Sequence, residues 1–133
     1  MLILDTHAWF QWVVEPELLP TQIQNRLKAS SLLAISAVSS YEIALHAERG
    51  RVQINLPLRE WFDEAIAGSG IALLPITPDI AACAAALPPI HRGPWDRIII
   101  ATALEYDAML LTKDETIPLY PQVKAGWKSL STV

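Results

Sequence analysis

Met1-Leu2-Ile3-Leu4-Asp5-Thr6 opens the chain with an apolar run that stops on a carboxylate. Three aliphatic residues in a row, with no polar alternation, read as a strand covered on both faces, the pattern of a parallel sheet. A carboxylate directly after such a strand loses hydration unless something compensates it. The arrangement recurs downstream. Leu32 to Ile35 read as a second strand, and a helix with Glu42 near its start follows it; Ala108 to Thr112 read as another strand, with Asp114 just beyond. Asp96 lies just inside a helix start in Pro94-Trp95-Asp96-Arg97. In a parallel α/β sheet the carboxyl ends of the strands open onto one edge, where ligands bind. Asp5, Glu42, Asp96 and Asp114 are therefore predicted to converge on an acidic, metal-binding cleft.

The connecting segments fit this plan. Thr6 can cap a helix carrying Trp9, Phe10, Val13 and Val14. A second helix is expected from about Thr21 to Ala29, and a third from about Ser39 to Arg49, which Gly50 terminates. Pro57 precedes an amphipathic helix with Trp61, Phe62 and Ile66, ended by Gly68 and Gly70, before a strand at Ile71 to Leu74. Pro78 starts an alanine-rich helix holding Cys83, which stops at Pro88 and Pro89. Ile90 to Trp95 read as a loop, and Pro94, at a first helical position, opens a helix through Ile98, Ile99, Ala101 and Leu104. A short fifth strand is expected near Lys124 to Trp127, and a frayed end from Ser129 to Val133. Strands separated by helices need crossover connections. The predicted fold is α/β, three-layered, with a central, mostly parallel sheet of four to five strands between helices.

The chain has 133 residues, enough for one domain and too few for two, so residues 1–133 are expected to form a single unit. Apolar residues make up 52% of it, but their runs are broken by charge and proline and fall short of the roughly 20 residues of a membrane span. No export signal is visible before the first strand, and the single cysteine cannot form an internal disulfide; both predict the cytoplasm and no membrane. The formal charge of −4 weighs against nonspecific nucleic-acid binding. Setting aside the four candidate acids, however, leaves ten acids against ten bases, so the remainder is neutral.

Each acid also has a purely structural reading. Glu42 stands three residues after Ser39, the spacing of a capping box. Asp96 suits the positive end of a helix dipole, and Asp114 in Lys-Asp-Glu suits a turn. Their joint placement on one sheet edge is what favours a site. Two carboxylates about 4 Å apart repel by about 4 kcal/mol at an effective dielectric of about 20, so the cluster calls for a cation. Hard oxygen ligands select Mg²⁺ or Mn²⁺. Thr6 and Thr112 flank the acids and can orient a carboxylate or bind a phosphate. Arg92 and Arg97 bracket Asp96 and can hold phosphodiester oxygens, although Arg97 can equally pair with a site carboxylate. His91 can touch substrate from the loop before Asp96, although a lone loop histidine is more often incidental, and Cys83 reads as core.

Four blocks now carry a resemblance: Leu2-Ile-Leu-Asp-Thr-His-Ala8; Ile35-Ser-Ala-Val-Ser-Ser-Tyr-Glu-Ile-Ala44 with Glu48-Arg-Gly50; His91-Arg-Gly-Pro-Trp-Asp-Arg-Ile-Ile-Ile-Ala101; and Leu110-Leu-Thr-Lys-Asp114. Together, in this order and spacing, they resemble a PIN-domain ribonuclease, specifically a VapC-like toxin of a type II toxin–antitoxin pair. The resemblance implies a PIN fold and Mg²⁺- or Mn²⁺-dependent endonucleolytic cleavage of RNA, leaving 5′-phosphate and 3′-hydroxyl ends. It implies the acidic quartet Asp5, Glu42, Asp96 and Asp114 as catalytic and metal-binding residues, with Thr112 as an accessory. It also implies a homodimer held inactive by a cognate antitoxin, within a larger complex on operator DNA. One departure is visible, since related sequences often carry aspartate where this chain has Gly93.

On that reading a metal held mainly by Asp5 and Asp96, with Glu42 and Asp114 binding directly or through water, lowers the pKa of a water that attacks phosphorus in line. Two rivals remain. A small metal-dependent phosphohydrolase also places aspartate after its first strand, but needs a second aspartate where this chain has His7. A noncatalytic PIN-like interaction module would use the acids only as caps. Trp9, Trp12 and Trp61 on amphipathic helices fit partner binding, and an antitoxin segment is expected across a groove including Trp9, Trp12 and Leu19.

Overall fold

Five strands, Leu2–Leu4 (β1), Leu33–Ser36 (β2), Ile71–Leu74 (β3), Met109–Leu111 (β4) and Ala125–Gly126 (β5), pair in the order β3-β2-β1-β4-β5. Every neighbouring pair is parallel. Among the described residues six α-helices connect them: Thr6–Val14 (α1), Thr21–Ala29 (α2), Ala37–Glu48 (α3), Leu58–Ala65 (α4), Pro78–Ala86 (α5) and Pro94–Glu105 (α6). This computed structural model describes residues 1–91 and 93–127; Arg92 and the tail from Lys128 to Val133, which includes the end expected to fray, lie outside the described residues. The three-layer α/β architecture with a parallel five-stranded sheet is the one expected.

Alternation along each strand divides the core. Leu2, Leu4, Ile35 and Leu111 point to the layer holding Trp9, Ile23, Leu27 and Trp61, whereas Ile3, Ala34 and Leu110 point to the layer of Val38, Ile99, Ile100 and Tyr120. Both faces are covered, which is why these strands read as unbroken apolar runs. On the first face the short amphipathic α4 closes over α1. The fully buried Trp9 ring lies 5.4 Å from that of Trp61, and its indole N–H donates to the Ala65 carbonyl at 2.9 Å. A buried tryptophan of this kind contributes about 3–5 kcal/mol relative to alanine. Trp9 is therefore a core residue, not the lining of an open groove, because α4 buries it; Leu19, largely buried, still borders a surface pocket beside Phe10 and Gln11.

Two helix starts differ from expectation in a way that bears on the site. Asp5, not Thr6, caps α1, and its side chain accepts from the Ala8 N–H. Ser36 caps α3 through the Val38 N–H, so the helix begins two residues before Ser39. The capping-box reading of Glu42 fails as a result, since the acid lies beyond the first turn. The far end of α3 behaves as expected. Gly50 adopts φ +69°, and the amides of Gly50 and Arg51 reach back to the carbonyls of Ala47 and His46 in a Schellman closure. Among the described residues, no helix is long and apolar enough to cross a membrane.

Candidate active site

The chain runs from β1 outward to β2 and β3 on one side, then returns through α5 and α6 to β4 on the other. The carboxyl ends of β1 and β4 therefore flank the topological switch point, where a parallel sheet opens a crevice. A cleft of about 400 Å³ lies there, lined by Asp5, Thr6, His7, Glu42, Trp95, Asp96, Lys113, Asp114 and Ile117. All four acids expected from the sequence reach it.

One wall is built from β1, α1 and α3. Asp5 Oδ1 accepts from the Ala8 N–H at 2.8 Å, which leaves its second oxygen free of the cap. Thr6, the first residue of α1, is buried with its hydroxyl 2.8 Å from Glu42 Oε1 and 2.9 Å from Ser39 Oγ. A hydroxyl has one proton to give and a carboxylate can only accept, so Thr6 donates to Glu42 and accepts from Ser39. Thr6 thus orients a site acid. The other Glu42 oxygen lies 3.8 Å from His46 Nε2, one helical turn on.

The opposite wall comes from the loops around β4 and α6. Thr112 is buried at the end of β4, where its hydroxyl accepts from the Asp114 N–H at 3.0 Å and lies beside the Asp5 carboxylate. Asp114 Oδ1 accepts from the hydroxyl and the amide of Thr116, at 2.6 and 2.9 Å. Its Oδ2 lies 2.8 Å from His91 Nε2. The turn reading of Asp114 is correct and incomplete, because one oxygen serves the turn and the other faces the histidine. His91 is in turn fixed by its backbone N–H, which donates to the Tyr120 hydroxyl at 2.6 Å. Asp96 projects from the first turn of α6 behind Pro94.

The electrostatics are those of a site short of positive charge. Burial pushes Asp5 above the ordinary carboxylate value, with Glu42 adding to the rise against the Thr112 hydroxyl, the Ala8 amide and His7. Burial also raises Asp96, helped by the charges of Glu42, Asp114 and Asp5 and opposed by His91. Asp114 departs from this pattern. Burial pushes it up, but the hydrogen bonds from Thr116 and His91 outweigh that and bring it down to about 2. A divalent cation fits this donor set. His91, Asp96 and Asp114 each offer a ligand atom within 4.8 Å of the others, and Asp5 and Glu42 line the same cleft. A bound cation would offset the burial, and the lesser repulsion, that raise Asp5 and Asp96, and the excess of carboxylate over imidazole favours Mg²⁺ or Mn²⁺.

Arg97 does not face the acids. Its guanidinium donates to the carbonyls of Ala84, Ala85, Leu87, Pro88 and His91, closing the end of α5 and holding the loop that carries His91. A guanidinium so engaged has no donors left for phosphodiester oxygens or a site carboxylate, which corrects both expectations for it. Arg92 lies outside the described residues. The sequence reading undervalued His91, since nothing in its spacing indicates that it meets Asp114, 23 residues away. It also passed over Trp95 and Lys113, both on the cleft wall. Their positions immediately beside Asp96 and Asp114 were the available signal.

A PIN domain profile matches residues 2–121. The chain belongs to the PIN-domain family. All four cleft acids fall inside the matched span. This PIN domain is 35% identical over 117 residues to Ribonuclease VapC22 of Mycobacterium tuberculosis, covering 87% of this chain and 88% of that protein. It is therefore a homologue of a VapC ribonuclease. Its fold is also that of VapBC2 from Rickettsia felis bound to a DNA fragment from their promoter, with a TM-score of 0.70 at 16% identity over 94% of this chain and 96% of that one. A toxin–antitoxin complex from Klebsiella pneumoniae superposes with a TM-score of 0.62 at 22% identity, over 92% and 95% of the two chains.

Proposed function

We propose that this PIN domain is a divalent-metal-dependent endoribonuclease, the cytoplasmic toxin of a type II toxin–antitoxin pair. The observation that carries the reading is the complete set of four acids at the switch-point cleft of a chain 35% identical to a VapC ribonuclease. In this reading Asp5 and Asp96 are the principal holders of Mg²⁺ or Mn²⁺, and Glu42 and Asp114 complete the cage directly or through water. When bound, the ion supplies the charge that lowers the pKa of a water and offsets the negative charge gathering on the phosphoryl oxygens.

The protein's own groups hold this arrangement in place. Thr6 aims Glu42, Thr112 braces Asp5 and the Asp114 backbone, and His91 with Thr116 fixes the Asp114 carboxylate. Cys83 offers no alternative nucleophile, because it packs between α5 and α6 and burial pushes its thiol pKa up. In this reading water is the nucleophile and no covalent enzyme intermediate is needed. The toxin–antitoxin complexes formed by proteins of this fold support a cognate antitoxin as partner; a homodimer of the toxin and RNA as substrate belong to the same proposal. An inserted antitoxin Arg or Lys would substitute for metal charge among the acids and block the cleft.

The test is RNA cleavage mapping by the purified protein with Mg²⁺ and Mn²⁺ titrated, alongside Asp5→Asn. Metal-dependent cleavage that disappears in the variant is the expected outcome. Wild-type cleavage by folded Asp5→Asn would remove the assignment of the site. Coexpression with the product of the neighbouring gene tests the partner, and excess metal should partly restore cleavage by the resulting complex.

A further inference from the structure

A second cavity adjoins the acid cleft. Of about 510 Å³, it is lined by Thr112, Lys113, Asp114, Pro118, Gly126 and Trp127 and also by Glu115 and Ala125, so Lys113 and Asp114 belong to the walls of both spaces. Lys113 Nζ stands 4.9 Å from the centroid of the Trp127 ring, which places an ammonium and an indole face side by side at the junction. Trp127 follows β5, whose pairing with β4 brings it alongside the residues after Leu111. The Thr112 N–H donates to the Gly126 carbonyl at 3.1 Å, and this bond fixes the separation of the two segments. The indole is half-buried against the core, so one part is anchored while another borders the cavity.

We propose that this cavity is a nucleobase subsite of the RNA strand, resting on the ribonuclease reading above. A phosphodiester in the acid cleft leaves its neighbouring nucleotide beside Lys113 and Asp114, the residues shared with the second cavity. The base of that nucleotide stacks against Trp127, and the Lys113 ammonium swings from the ring to the adjoining phosphate. Stacking suits a single strand because every base presents a π-face, and a lysine point charge suits a phosphate whose orientation varies. Glu115 on the same wall contributes repulsion, so affinity for the backbone depends on Lys113 here. Trp127 is a binding residue in this account, and the chemistry stays with the four acids.

The experiment is steady-state cleavage of a single-stranded RNA oligonucleotide spanning a mapped cleavage site. It compares wild type, Trp127→Ala, Trp127→Phe and Lys113→Gln, with each nucleotide flanking the scissile phosphate replaced in turn by an abasic residue. Trp127→Ala is expected to lower kcat/KM by about tenfold, chiefly through KM, and Trp127→Phe to retain most of it. One abasic position should cost the wild type a similar factor and cost Trp127→Ala nothing further. Lys113→Gln should reduce the slope of log kcat/KM against log salt by about 0.7. If Trp127→Ala melts below the assay temperature, Trp127→Phe and the abasic series in wild type decide the question. Cleavage by folded Trp127→Ala within twofold of wild type, or abasic losses that add to those of the variant, would overturn the subsite alone. Wild-type protein that cleaves no RNA at any metal concentration would overturn the ribonuclease reading and this subsite with it.

Discussion

The wall of the cleft made by β1, α1 and α3 and the wall made by the loops at His91 and Asp114 treat the same functional group in opposite ways. Asp5 sits at the end of a central strand, where burial raises its pKa. Asp114 sits in a turn, and Thr116 and His91 donate enough to hold it at about 2 in spite of burial. Asp96, between the two, is raised by burial and by the charges of its three acidic neighbours. The difference teaches where metal-free strain resides. It is concentrated on Asp5 and Asp96, the two acids whose burial outweighs their local compensation, and a cation in the cleft would offset it there.

The comparison breaks most directly at the raised acids. Asp5→Asn and Asp96→Asn are expected to abolish cleavage, a loss larger than the roughly 10–100-fold that follows removal of outer-shell partners of a metal. Asn can still cap α1, and deleting a buried charge should leave the metal-free protein as stable as wild type or more so. Circular dichroism with an RNA assay checks both halves, and a parallel loss of fold would show that the carboxylate charge serves folding above all. Glu42→Gln should also remove most activity. Near-normal cleavage by that variant would reduce Glu42 to a helix-surface residue.

On the opposite wall, His91→Ala removes a hydrogen bond that lowers Asp114. Its carboxyl should titrate above about 2, as followed by NMR, with cleavage falling about 10–100-fold. An unchanged Asp114 titration would mean that Thr116 alone holds the carboxylate.

Stability against pH sharpens the contrast because the two raised acids and Asp114 have opposite signs. Asp5 and Asp96, raised in the folded state, favour folding most below their ordinary value of 3.8 and withdraw that stability as pH climbs through the raised values. Asp114 favours folding above 3.8 and loses the contribution as pH falls through about 2. Mg²⁺ should therefore raise the Tm more at neutral than at mildly acid pH. Saturation at 100 times Kd corresponds to about 2.7 kcal/mol. A thermal increment independent of pH would mean that the ion binds away from Asp5 and Asp96. The smallest effect is expected from Thr6→Val, which loses the donor to Glu42. A fewfold drop in kcat and about 1 kcal/mol of stability, read from denaturant unfolding, would accompany it.

Much of the fold was legible because its signals are local. An uninterrupted run such as Leu2 to Leu4 announces a strand buried on both faces, Ile71 to Leu74 announces a strand although its Leu73 stays exposed at the sheet edge, and Pro78 and Pro94 announce helix starts. The acids followed from the fold class, since strand ends in a parallel sheet share an edge. By itself, the sequence determined which residues are apolar, where the chain breaks, and which four carboxylates stand just past those breaks. Only the tertiary structure decided what surrounds them. The meeting of His91 with Asp114, the reach of Thr6 to Glu42 across 36 positions, the diversion of Arg97 to five carbonyls and the burial of Trp9 under α4 all depend on contacts between distant segments. Such contacts form when strands pair in register and helices close over them, and no local propensity encodes which donor a side chain will then meet.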